Sequence, residues 1–140
     1  MSRYFTLQEL IHSDTAVSKK IDNAPSWEVV DNLRRLADFL DEIREEWGSG
    51  IIIRSGFRCK KLNKAVGGVD TSAHLVGFAV DMVPANGKMK EFETFLKGWL
   101  KDKEFDECLY ESKNGSKWVH FALFSVKGLQ RRKMFGIEVR

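Results

Sequence analysis

The chain has 140 residues, 43% of them hydrophobic and 31% charged, with a formal charge of +3 and a sequence pI of about 8.9. This is the length and composition of one globular domain, residues 1–140, with enough apolar material for a core without disulfide staples, and it excludes a disordered or repetitive polymer. So small a positive charge selects no partner: an anionic polymer would suit it, and simple solubility explains it equally well.

The N-terminal stretch Met1 to Leu10 has no apolar run of signal-peptide length, and no segment approaches the roughly 20 apolar residues of a membrane span. The expectation is a monomer made in the cytoplasm, with no membrane partner. Any target outside the cell would then be met after release. Cys59 and Cys108 lie far apart without CxxC spacing, which points to buried free thiols rather than a metal knuckle or redox motif.

In chain order, Thr6 and Glu9 bracket Leu7-Gln8 as a capping box and predict a short helix. Ser13 through Asn23 is polar and reads as a loop, and Pro25-Ser26 opens the next element. From Trp27 to Trp47 the apolar residues Val29, Leu33, Leu36, Leu40, Ile43 and Trp47 repeat at threes and fours, which predicts one long amphipathic helix ended by Gly48-Ser49-Gly50. Ile51-Ile52-Ile53 is a β-branched run and reads as a buried strand. Cys59 to Val66 predicts a short basic helix, Ala79 to Val83 a strand closed by Pro84, and Lys88 to Leu100 a helix facing inward through Met89, Phe92, Leu96 and Trp99 or Phe95. Glu107 to Glu111 and Trp118 to Leu123 form two strands around Asn114-Gly115, a hairpin signature, and Phe135 to Val139 could add a final strand. The class is α+β, with helices packed on a small antiparallel sheet.

Only three histidines occur: His12, His74 and His120. His12 reads as structural or exposed. His74 lies in Ser72-Ala73-His74-Leu75-Val76-Gly77-Phe78-Ala79-Val80-Asp81, and His120 in Trp118-Val119-His120-Phe121. Zinc takes imidazole nitrogen and carboxylate oxygen, and catalytic sites combine three protein ligands with a water. His74, Asp81 and His120 fit that set: Gly77 permits a turn and Ala79 leaves room beside Asp81 on one strand face. A lone histidine among apolar residues is more often a satisfied core side chain, and an aspartate ending a strand more often a turn former. The pattern of Ser, His, Gly, Ala and Asp at these offsets is far more specific than either residue alone.

That segment resembles the SxHxxGxAxD signature of the M15 zinc peptidases, the D-alanyl-D-alanine carboxypeptidase and dipeptidase family. Ser55-Gly56-Phe57-Arg58, Leu62 to Gly68, Tyr4 to Leu10 and Ile21-Asp22-Asn23 are similar to the stretches around it in the small single-domain branch. The resemblance spans about residues 4 to 123 and implies a fold like that of the Hedgehog signalling domain. It implies a zinc cofactor held by His74, Asp81 and His120, and contacts from Arg58 to substrate or transition state. It also implies a supporting polar contact from Ser72 and an acidic base near the second histidine. Many members carry that acid three residues before the last ligand, where this chain has Lys117. The alternative is Glu111, with Asp106 and Glu107 as fallbacks. A turn centred on Asn114-Gly115 sets Glu111 opposite Trp118 and Leu109 opposite His120, so that Glu111 and His120 share a face about 7–8 Å apart. A bulge would reverse that parity.

The activity implied is hydrolysis of peptidoglycan peptides, as a D-Ala-D-Ala carboxypeptidase or crosslink endopeptidase. An L-alanyl-D-glutamate endopeptidase of the phage endolysin type is the closest alternative, and the missing signal sequence agrees with release at lysis. A zinc-bearing binding module without catalysis is a second class, against which Glu111 and Arg58 both speak. A nucleic-acid-binding domain is a third, and no interleaved aromatic and basic motif supports it.

Overall fold

The computed structural model describes residues 2–136. Helix α1 (Leu7–Ile11) has the expected cap: Thr6 accepts from the Glu9 amide, and the Glu9 carboxylate accepts from the Thr6 amide. The polar stretch after it is not all loop. Ser13 accepts from the Ala16 amide at 3.1 Å and starts helix α2 (Asp14–Ser18), whose one buried side chain is Ala16. A single small apolar contact leaves no periodicity to read. The loop that follows is pinned by Asn23. Its amide donates to the carbonyls of Ile11 (2.9 Å) and Phe57 (3.0 Å), and its oxygen accepts from the Cys59 amide (2.8 Å).

Helix α3 (Trp27–Trp47) is capped by Ser26 and buries Val30, Leu33, Leu36, Ala37, Leu40 and Ile43. The stripe is centred as expected but begins on Val30, with Val29 only partly covered. Strand β1 (Ile51–Ser55) follows. It lies at the edge of the sheet, so Ile52 is half exposed rather than buried. Helix α4 (Lys60–Ala65), strand β2 (Ala79–Pro84) and helix α5 (Met89–Trp99) fall where the sequence puts them. Phe92 and Leu96 are the fully buried residues of α5, with Met89, Phe95 and Trp99 at the margin.

Strands β3 (Glu107–Lys113), β4 (Ser116–Ala122) and β5 (Lys133–Gly136) complete a five-stranded sheet in the order β1-β2-β4-β3-β5. The first four strands pair antiparallel, as expected. β5 runs parallel to β3, so the sheet is mixed: the chain leaves β4, passes β3 and returns on its far side. The expected last strand thus starts earlier, at Lys133, and its portion past residue 136 lies outside the described residues.

Side chains alternate across a strand, so the register sorts the sheet into two faces. Val80, Met82, Cys108, Val119 and Phe121 share the face that forms the core, where Phe121 stacks on Phe39 of α3 and on Phe105. Cys59 and Cys108 are both free thiols, and burial pushes the Cys108 thiol up to about 12. Ala79, Asp81, Glu107, Leu109, Glu111, Trp118 and His120 share the other face. The chemistry-bearing residues of three strands therefore meet on the side of the sheet away from α3.

Candidate metal centre

The hairpin sets the parity of this face. Asn114 and Gly115 take φ of 51° and 81°, the left-handed pair that a two-residue turn requires, and Lys113 pairs with Ser116. Glu111 then lies opposite Trp118, and Leu109 opposite His120. β2 pairs so that Asp81 faces His120 directly.

His74 arrives from a different element. It sits in a 3-10 turn (Ala73–Val76) that Ser72 caps by accepting from the His74 amide at 3.1 Å. Gly77 ends the turn at φ 82°, and a Cβ there would press on Val29 and Leu33. The His74 ring is fully buried, with Nδ1 2.7 Å from the Gly56 carbonyl. A carbonyl only accepts, so Nδ1 carries the proton and Nε2 presents its lone pair. Gly56 can be no larger, because a Cβ would lie 2.2 Å from the Leu10 carbonyl oxygen.

His74 Nε2 and His120 Nδ1 converge on one atom, Asp81 Oδ1, at 3.3 Å and 3.2 Å. One ligand atom from each of the three residues lies within 4.8 Å of the others. Without a cation the environment splits the two rings. Burial pushes the His74 pKa down despite Asp81, leaving it neutral. Burial would also lower His120, but Asp81 and Glu107 overcome it and raise it to about 10. Asp81 is largely covered, which opposes its ionisation, yet the two imidazoles hold its carboxyl well below the usual range. Neutral His74 and ionised Asp81 thus point lone pairs at each other across 3.3 Å, an arrangement that asks for a cation between them. Two imidazole nitrogens and one carboxylate oxygen are a donor set suited to zinc.

The remaining predicted residues line the same groove, of about 700 Å³. Glu111 accepts from the Trp118 indole at 2.9 Å. Burial raises its pKa, helped by Asp81 and Glu107 and opposed by His120 and Trp118. Arg54 is the extra residue of a bulge where β1 meets β2. It donates to Ser116 Oγ at 2.9 Å and lies over the Trp118 ring, bracing the side chain that holds Glu111. The Arg58 amide donates to the His74 carbonyl at 3.0 Å. Its guanidinium is largely buried, which lowers its pKa, while Asp81 and Glu111 offset this. Ser72 reaches the groove, but the contact it makes in the protein is the cap that sets His74. His12 is exposed and paired with Asp14.

Both fallback acids are occupied. Asp106 is 1% exposed and accepts from Arg131 Nε and Nη2, each at 2.8 Å, and from the Arg131 amide at 3.1 Å. Glu107 lies 3.3 Å from His120 Nε2 and 3.4 Å from Arg131. Residue types alone did not reveal these contacts, nor the Gly56 carbonyl or the Trp118 indole. The four-residue spacing of Glu107 and Glu111 does place both on the His120 face.

The Asp106 clamp carries a pH consequence. Burial opposes its ionisation, but Arg131 outweighs burial and depresses its pKa. A depressed carboxylate stabilises the fold above its unfolded pKa of about 3.9 and loses that contribution as pH falls through the folded value. Asp106→Asn is expected to lower unfolding stability at pH 7 by about 2 kcal/mol, a typical cost for charge-assisted hydrogen bonds. Chemical denaturation from pH 7 to below 4 should show that difference shrinking as wild-type Asp106 protonates.

A family model described as Peptidase M15 matches residues 3–122. No curated protein matches the chain at a significant level.

Proposed function

Because the chain belongs to the peptidase M15 family, we propose that it is a zinc-dependent peptidase acting on peptidoglycan peptides, with His74, Asp81 and His120 as metal ligands. The observation that carries this reading is the convergence of two imidazole nitrogens on one Asp81 oxygen, beside a half-buried glutamate and an arginine in one groove.

When bound, zinc supplies Lewis acidity toward a peptide carbonyl and an acidified water as nucleophile. Glu111 takes the proton of the attacking water and delivers it to the leaving amine. Its raised pKa suits both tasks, since a base that is too acidic would not hold the proton between them. Trp118 fixes one Glu111 oxygen, leaving the other free to act. Arg58 stays cationic and offers planar donors to the developing oxyanion or to a substrate carboxylate. Ser72 and Gly56 hold His74 from two sides, one through the turn and one through the ring.

Arg58 and Val66 border both this groove and a second trough of about 900 Å³, which His12, Thr15, Ile53 and Arg54 also line. A trough beside Arg58 offers space for substrate beyond the groove that holds the ligands, which supports cleavage within a peptide over trimming of its end. An L-alanyl-D-glutamate cut and a crosslink cut are both internal cuts of this kind. Mass spectrometry of peptidoglycan digested with the zinc-loaded protein tests this. The expected result is new internal amine and carboxyl termini in the stem peptides or crosslinks. Release of terminal D-alanine alone would overturn the endopeptidase form, and unchanged muropeptides would overturn the substrate class.

A further inference from the structure

We propose that Glu107 is a positioning residue for His120, held in place by cations from the segment that follows the family-matched residues. The inference rests on the metal-ligand reading above. His120 has a carboxylate on each side: Asp81 Oδ1 is 3.2 Å from Nδ1, and Glu107 Oε1 is 3.3 Å from Nε2. A ring that offers Nδ1 to a cation keeps its proton on Nε2, and Glu107 is the carboxylate placed to receive it. Such a partner fixes the tautomer and ring angle and makes the ligand more basic.

Glu107 is itself braced. Its other oxygen lies 3.4 Å from Arg131 Nη2 and 4.0 Å from Lys133 Nζ. Arg131 is locked by its three bonds to Asp106, and the backbone continues the attachment: the Lys133 amide donates to the Asp106 carbonyl at 2.9 Å, and the Arg132 amide to that of Phe105 at 3.0 Å. Glu107 pairs with Lys133 in the parallel β3–β5 ladder. The family match ends at residue 122, so Arg131 and Lys133 belong to the chain beyond it. That segment reaches the metal centre through Glu107 rather than by supplying a ligand. A surface ion-pair cluster would not need Glu107 to face the groove, yet it lines the groove and is only 20% exposed.

The test is a zinc titration of the metal-free full chain against a competing chelator, for wild type, Glu107→Gln, Glu107→Ala and Arg131→Met. Glu107→Ala is expected to weaken zinc binding about 10- to 100-fold. Glu107→Gln keeps an acceptor oxygen and should lose less, and Arg131→Met should lose least. In NMR spectra of the zinc-loaded protein, the His120 Nε2 proton should be visible in wild type and shifted in both Glu107 variants. A merely structural role would lower the melting temperature of the metal-free chain and leave zinc affinity at the wild-type value; that result overturns the proposal. Should Glu107→Ala fail to fold, wild-type affinity and an unmoved Nε2 proton in Glu107→Gln overturn it equally. A wild-type chain that binds no zinc removes the ligand reading itself, an outcome separate from equal affinities across the series.

Discussion

Glu111→Gln is expected to reduce peptide hydrolysis by about 10²- to 10⁴-fold, the usual contribution of a positioned general base. The substitution is close to isosteric, and its amide oxygen can still accept from the Trp118 indole that holds Glu111 in the protein. Arg54 continues to brace that indole, so the groove keeps its shape. Zinc content and melting temperature should therefore match wild type while kcat collapses. The wild-type rate should also fall as pH drops through the Glu111 pKa, because only the ionised carboxylate can take a proton. In the metal-free groove burial raises that carboxyl above its ordinary value, and bound zinc would draw it back down. Equal activity in the variant would remove Glu111 from the mechanism. Activity in neither protein, with zinc bound to both, would point to a binding module.

Asp81→Ala is expected to have the second large effect, on the metal itself. Asp81 Oδ1 is the atom on which both imidazoles converge, so its loss removes one ligand and the charge that balances the cation. Zinc sites bind with about 10–16 kcal/mol in total over four ligands, roughly 2.5–4 kcal/mol for each. The variant should bind zinc about 10²- to 10³-fold more weakly and lose hydrolysis in proportion at limiting metal. A competition titration measures the first and peptide turnover at graded zinc the second. Unchanged affinity would exclude Asp81 as a ligand.

Much of this organisation can be read in the residues before any coordinates. The three- and four-residue repeat of α3, the capping box at Thr6 and the Asn114-Gly115 turn are local signals, and each describes physics that tertiary structure did not override. The turn had the longest reach: a two-residue loop fixes strand parity, and parity sets Glu111 on the face of His120. What escaped was non-local. α2 is held by one serine cap and one buried alanine, too little to mark a period. Ile52 reads as buried because β-branched residues favour strands, but burial depends on whether a strand is central or at an edge, and β1 is at an edge. The parallel pairing of β5 depends on where residues 123–132 carry the chain, and no turn motif records that. At the site, the sequence names the residues that converge but not what orients them. The Gly56 carbonyl behind His74 and Glu107 behind His120 come from segments far from either histidine.

The central claim is that the three converging side chains hold one ion, and zinc-edge anomalous diffraction from crystals grown with zinc tests it most directly. The expected result is a single strong peak about 2.0–2.2 Å from His74 Nε2, Asp81 Oδ1 and His120 Nδ1. An empty space between those atoms, or a zinc peak held elsewhere in the protein, would contradict it.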